Sequence, residues 1–457
     1  MPCGPIFRHA VSCRFSQMRS DSYNPSIFSR RLSADRLHGR CALCNQSNGW
    51  EIHSMFQDFK ACPKTWRRCV IAGAAALSMA LPPVAAFGEA LSASGLPITD
   101  IGPPHDPSKP NIVVIDAGGT LEATARDRIS YLHYSGGIKG GVATILKDLY
   151  PELGAVANIS VVQAGGILGS SGNVGNAQLY KVSRAIDAEL ARKDVDGVVV
   201  TAGTSVMEED AYFFDLTVQS DKPVVVTGAM HQYGTFTYDA YTNLFSSIRL
   251  AASGKTTCFG TVVLLNDQFF AARDASKTDG YRMDTFKDRI YGPLGIVNED
   301  HILSRRAPGR VMQCGTAAWK TPFDLSKTTP DKLAKVEIVY GHVEGDGGAI
   351  SAPVAAGFKG IVTAGFGPGD ISKALSQARE DAIKKGVLFV SATRTGGEGT
   401  YDAGTPGIIG GNDLLPQKAR LLLQLGLTFS NDQQQIRQWF STIGDPEFNI
   451  GNERKGK

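Results

Sequence analysis

Five short runs of β-branched and other apolar residues recur between residues 111 and 267, each closed by a turn of small or polar residues. They read NIVVIDAGGT from Asn111, NISVVQAGG from Asn158, GVVVTAGTS from Gly197, KPVVVTG from Lys222 and GTVVLLND from Gly260. None alternates apolar with polar, so each run is expected to be buried on both faces, as strands of a parallel sheet are. Between them, Leu179, Val182, Ile186 and Leu190 recur at helical spacing. MEEDAYFFDL and the stretch around Leu244 and Ile248 read as further helices, Glu208, Glu209 and Asp210 suiting the first turn of theirs. Strands alternating with amphipathic helices require an α/β fold, a mainly parallel sheet covered by helices on both sides. In such a sheet the ligand crevice lies beyond the carboxyl ends of the strands. The residues expected there are Thr120, the pair Thr204–Ser205, and Lys277 in RDASKT. Gly118 and Gly119 permit a tight turn and leave room for an approaching group. The long polar segment from 120 to 141, carrying Tyr131 and Tyr134, reads as a loop acting as a lid.

The expected boundaries are an N-terminal domain over 108–305, an interdomain linker over 306–333 and a smaller parallel α/β domain over 334–457. The second domain's strands are VEIVY from Val336, GIVTA from Gly360 and VLFVSA from Val387. Its helices are placed near Pro353–Phe358, at Ile371–Lys385, at Gln417–Leu427 and at Gln434–Ile443.

Charge and cysteine are unevenly spread. Residues 1–86 carry 11 Lys/Arg against 4 Asp/Glu, the remainder 36 against 40. The mildly acidic body gives no electrostatic reason to expect nucleic acid or an anionic membrane as partner. Six of the eight cysteines lie before residue 70; Cys41 and Cys44 form a lone C-x-x-C, a weak metal signal without a second pair. Cys258 and Cys314 are either a bridge or two thiols. Residues 64–87 read as a signal peptide: Lys64, Arg67 and Arg68, then an apolar stretch from Cys69 to Leu81, then small residues around Ala85–Ala86. The leader implies a periplasmic or secreted protein with no membrane anchor after cleavage. Translation from Met55 would give it normal length, making 1–63 an extension of doubtful translation. Residues 88–107 are a proline-bearing linker.

Taken singly, the site candidates have bland readings. Thr120 could cap a helix, Thr204 sit in a turn and Lys277 be a solvated loop charge. A threonine hydroxyl is a poor nucleophile until a base or dipole assists it. A lysine desolvated beside hydroxyls loses basicity and can accept a proton.

Together, however, IDAGGTLEA, TAGTSVMEEDAYFFDLTVQSDKPVVVTGAM, RDASKTDGYRMDTFKDRIYGPLG and LLPQKARLLLQLGLT occur in this order between about 111 and 443. In this they resemble the bacterial-type (type II) L-asparaginases and glutaminase-asparaginases. The resemblance implies a two-domain α/β subunit, a homotetramer built as a dimer of dimers, and no metal or organic cofactor. It also implies hydrolysis of a side-chain amide through an acyl-threonine intermediate. Carried onto this chain, it makes Thr120 the nucleophile and Tyr134 the mobile tyrosine, allowing one inserted residue, with Tyr131 in reserve. Thr204 becomes the second threonine, supported by Lys277. Gly119 and Gly203 face the substrate, backbone N–H groups near Gly203 and Thr204 serving the oxyanion. Ser170 and Ser171 are the candidates for the family's substrate-binding serine.

The chain also departs from the pattern. The family's His-Gly-Thr-Asp reads Ala202-Gly203-Thr204-Ser205 here, removing the carboxylate that pairs with the lysine and holds the substrate ammonium. The asparagine and glutamate that help bind that ammonium align near Pro368 and Gly404, and Glu398 or Asp402 could restore a charge from a neighbouring subunit. Asp116 stands where the family has a small residue and is expected to cap the end of its strand. The reading is an exported amidohydrolase converting L-asparagine to L-aspartate and ammonia. Its rivals are a same-fold amidase of altered specificity and a non-catalytic periplasmic amino-acid-binding protein.

Overall fold

The five apolar runs form the centre of one sheet, side by side and pointing the same way. The computed structural model describes residues 90–169 and 173–448; the leader at 64–87, the extension before it, Cys41, Cys44, Ser170 and Ser171 lie outside the described residues. From the N-terminal side come β1 (Ile98–Ile101), β2 (Asn111–Asp116), β3 (Ala123–Ala125), β4 (Tyr134–Gly137), helices α1 (Gly141–Asp148) and α2 (Glu152–Val156), and β5 (Asn158–Gln163). Then follow α3 (Asn176–Leu190), β6 (Gly197–Thr201), α4 (Met207–Thr217), β7 (Val224–Thr227), α5 (Ala240–Ala252) and β8 (Thr261–Leu265). Short strands complete this half: β9 (Gln268–Ala271), β10 (Ala275–Lys277), β11 (Phe286–Asp288), β12 (Gly295–Val297) and β13 (Ile302–Ser304).

The large sheet has the order β1-β5-β2-β6-β7-β8-β9-β12-β13. Its central pairings, from β5 through β8, are parallel. Its flanks are antiparallel, which makes the sheet mixed: β1 pairs antiparallel with β5, and β9, β12 and β13 extend the other edge. Period two divides the core. Val113, Ile115, Val198 and Val200 face α3 and α4, whereas Ile112, Val114, Val199 and Val225 face α1 and α5. Register sets Asp116 beside Gln163 and Thr201, and Thr201 beside Thr227, so the loops bearing Thr120 and Thr204 leave the same end of the sheet.

The lid segment is not all loop. β3 and β4 pair as an antiparallel hairpin, with a register shift at Thr124/Ala125 that leaves Ser135 as the extra residue.

Beyond β13 the segment expected to link domains is pinned to the large half. Arg310 reaches Asp215 at the end of α4 across 3.1 Å and covers the Trp319 ring at 4.0 Å. Trp319 Nε1 donates to the Cys258 carbonyl, and Cys258 is bridged to Cys314 with their Cα atoms 5.5 Å apart. The second sheet is parallel throughout, in the order β14 (Val336–Tyr340), β15 (Gly360–Gly365), β16 (Leu388–Thr393), β17 (Ile408–Gly410). Helices α6 (Gly348–Ala355) and α7 (Lys373–Lys384) cover one face. The α6 helix begins five residues ahead of Pro353, which lies inside it rather than starting it. Helices α8 (Pro416–Phe429) and α9 (Gln433–Thr442) cover the other face, and there the apolar core runs on without a break into the core around α3 and α4.

Candidate active site

Thr120 begins a single 3-10 turn that follows β2 through Gly118 (φ 94°) and Gly119 (φ 120°). Both glycines are required, though not to make room for a ligand. A Cβ on Gly118 would lie 2.9 Å from the Gly166 Cα, and one on Gly119 would lie 2.5 Å from the Ala202 carbonyl oxygen. Neighbouring backbone fills that space. Behind Thr120, Ala117 N–H donates to Thr201 Oγ1 at 3.2 Å and Leu168 N–H to the Ala117 carbonyl at 2.8 Å, so three loops share one frame.

Four of the residues singled out by sequence meet in two pairs. Thr120 Oγ1 lies 3.1 Å from the Tyr134 hydroxyl, and Lys277 Nζ donates to Thr204 Oγ1 at 2.9 Å. All four line a cavity of about 610 Å³, together with Ser205, Glu208, Asp279 and Tyr131. Thr204 is 5% exposed, whereas Tyr134 is 62% exposed on its hairpin. The reserve candidate, Tyr131, stacks on His231 with ring centroids 4.6 Å apart. Burial lowers the basicity of Lys277; the opposing charges of Asp279 and Glu208 only partly offset it.

Several expectations need correction. Gly203 N–H donates to the Leu168 carbonyl at 2.9 Å, so it is committed to holding the loop and is not free for an oxyanion. Asp402 is already paired with Arg437 of its own chain. Asp116 does not cap its strand: Oδ1 is buried without a hydrogen-bond partner, and the carboxyl group meets Glu122 instead. Pro368, Gly404 and Glu398 are surface residues.

Sequence reasoning also missed a residue. Glu208, assigned only to the helix dipole, reaches the cavity from the first turn of α4. Its Oε1 accepts from Gln417 Nε2 at 3.2 Å, while Oε2 is buried without a partner. The available signal was its spacing: four residues after Thr204, across a strand-to-helix turn, it sits one helical turn from the loop. Among the described residues, no three His, Cys, Asp or Glu side chains converge as metal ligands would.

Chemically, the cavity offers a hydroxyl contacting a phenol, and a second hydroxyl contacting a lysine of reduced basicity. That suits attack on a carbonyl followed by activation of water. Comparison with known proteins points the same way. Residues 111–309 match the family model "Asparaginase, N-terminal" and residues 335–440 match "Glutaminase/Asparaginase C-terminal domain". The chain is 36% identical over 335 residues to L-asparaginase 2 of Bacillus subtilis (strain 168), covering 73% of this chain and 86% of that one. It is 37% identical over 337 residues to L-asparaginase 2 of Escherichia coli (strain K12), covering 73% and 93%. Among solved structures, a probable cytoplasmic L-asparaginase from Campylobacter jejuni superposes with a TM-score of 0.67 at 32% identity, covering 73% of this chain and 99% of that one.

Proposed function

The chain belongs to the asparaginase family of amidohydrolases, and from that premise we propose that it hydrolyses L-asparagine to L-aspartate and ammonia with Thr120 as nucleophile. The observation that carries this reading is the pair of contacts in one cavity, Thr120 to Tyr134 and Lys277 to Thr204. In the first step Thr120 Oγ bonds to the amide carbon and the C–N bond breaks. The threonine proton leaves with the nitrogen as ammonia, passed through the phenol of Tyr134. In the second step a water held by Thr204 gives one proton toward Lys277 and its oxygen to the acyl carbon. Thr120 Oγ is released and regains a proton. The N–H groups of Thr120 and Thr204 are the proposed oxyanion donors, since that of Gly203 is engaged.

A second reading, an amidase of altered specificity, is favoured by Ser205. An exposed hydroxyl stands where the resembled family has a carboxylate, so the carboxylates remaining on the cavity wall are Glu208 and Asp279. A substrate lacking a free α-ammonium would lose nothing by that change. One panel tests both: ammonia release from L-asparagine, L-glutamine, and N-acylated or deaminated amides. Preference for L-asparagine supports the first reading and preference for an ammonium-free amide the second; binding without release would sink both. Export through the leader at 64–87 and assembly as a homotetramer belong to the same proposal, checked by the N-terminal sequence and by the mass in solution.

A further inference from the structure

Two carboxyl groups bracket the nucleophile loop. Asp116 closes β2 four residues before Thr120, and Glu122 ends the 3-10 turn two residues after it. The loop folds back so that their side chains meet. A Cβ on Gly141 would lie 2.9 Å from Asp116 Oδ2 and 3.0 Å from Glu122 Oε1, so both carboxyl groups crowd one point at the start of α1. Carboxyl groups this close can join by a hydrogen bond only where one of them carries a proton. Asp116 is 4% exposed, and its Oδ1 has no partner.

Among the described residues, no cation offsets this pair. From α1, the group facing it is Val142 N–H, which donates to Glu122 Oε1 at 2.8 Å. From the segment leading into α5 it is Tyr238, whose hydroxyl donates to the Leu121 carbonyl at 2.8 Å. Neither carboxyl takes part in an ion pair with Lys, Arg or His among the described residues. Burial beside a second carboxyl favours the neutral form of Glu122, as in other buried acid dyads. Burial first, then the hydrogen bond and charge of Asp116, push Glu122 up to about 8.

Glu122 is also the knot that ties the lid. Its N–H donates to the Gly119 carbonyl at 3.1 Å, its carbonyl accepts from Ile138 N–H at 2.7 Å, and its side chain holds the start of α1. The hairpin carrying Tyr134 therefore runs out and back between Thr120 and groups that Glu122 fastens. We propose that Asp116 and Glu122, through one shared proton, form a positioning device that holds the Tyr134 hairpin against Thr120. Loss of that proton sets two anions against each other, a repulsion that the Val142 N–H offsets only in part, and loosens the turn whose carbonyl holds Ile138. The part of this inference that concerns turnover rests on the proposed roles of Thr120 and Tyr134; the part that concerns stability does not.

Because folding raises the proton affinity of Glu122, its contribution is complete below the ordinary carboxylate range and is lost as pH rises through about 8. The test uses the full chain as wild type, Glu122→Gln and Glu122→Ala, with Asp116→Asn should either fold poorly. Thermal midpoint is followed from about pH 5 to about pH 9, and kcat and KM for L-asparagine are measured on the same preparations. Glu122→Gln keeps a hydrogen bond to Asp116 without titrating, so its midpoint is expected to gain on wild type steadily as pH rises. Wild-type KM is expected to rise about tenfold across the alkaline limb, the glutamine variant to stay flat, and the alanine variant to be raised at every pH. A glutamine variant that parallels wild type in both midpoint and KM overturns the proposal. If neither protein turns over L-asparagine, the midpoint curves alone decide: divergence upholds the acid pair while removing the proposed substrate, and parallel curves remove the pair.

Discussion

Lys277 Nζ donates to Thr204 Oγ1 across 2.9 Å, joining the end of β10 to the loop that follows β6. The two residues are far apart in sequence and meet at the rim of one cavity. Burial lowers the basicity of Lys277, and neutral lysine is the form that accepts a proton. Activity is therefore expected to climb as pH rises through the depressed Lys277 value, below its usual 10.5. Ser205→Asp would place an anion on the same wall and move that ascending limb to higher pH. The kcat/KM profile of the two proteins checks this.

The same Ser205→Asp change is expected to raise kcat/KM for L-asparagine. Position 205 is exposed in an open cavity, so the new pair with the substrate ammonium is worth about 1 kcal/mol, or roughly fivefold. Ammonia release at fixed pH measures it, and no gain would count against the missing counter-ion as the cause of altered specificity.

Thr120→Ala removes the oxygen proposed to attack the amide without disturbing buried packing. Turnover is expected to fall on the order of a thousandfold or more, with unfolding free energy changed by less than about 1 kcal/mol. Steady-state assays beside urea unfolding separate the two effects.

The two tyrosines of the lid should behave differently. Tyr134 touches Thr120, whereas Tyr131 packs on His231. Tyr134→Phe is expected to cost about a hundredfold in kcat, and Tyr131→Phe no more than about threefold. Equal losses would reassign the phenol.

Lys418, 0% exposed in α8, donates to the carbonyls of Ala272, Arg273 and Ala275, just ahead of Lys277. Lys418→Met keeps the aliphatic volume but leaves those acceptors unpaired, at a cost of about 3–5 kcal/mol. Urea midpoints read the loss, and kcat is expected to fall with it because the segment leading to Lys277 slackens.

The central strands were legible because Val- and Ile-rich runs buried on both faces have few other ways to fold. The edges were not. QFFA, GIV and ILS are three or four residues long, too short for periodicity to register; QFFA pairs on the edge of β8, GIV on QFFA and ILS on GIV. Nor does YSGG favour a strand; β4 exists because it lies against β3. Thr120, Thr204 and Lys277 could be named from motifs, since turns at strand ends bring them to one rim. Glu208 lay within reach of its spacing from Thr204, but its contact with Gln417, more than two hundred residues further on, did not. The engagement of Gly203 N–H by Leu168 and the meeting of Asp116 with Glu122 were equally hidden. Each depends on how a loop closes, which residue spacing does not encode.

The close approach of Gly119 to the Ala202 carbonyl has a bearing on how such a protein can change. No side chain fits between those two loops, so the floor beneath Thr120 tolerates almost no variation. New substrates would have to be admitted by altering the walls, at Ser205, Glu208, Asp279 and the hairpin residues, while the floor stays fixed. A library that randomises those wall positions and spares 118, 119, 202 and 203 is the economical way to redirect the enzyme.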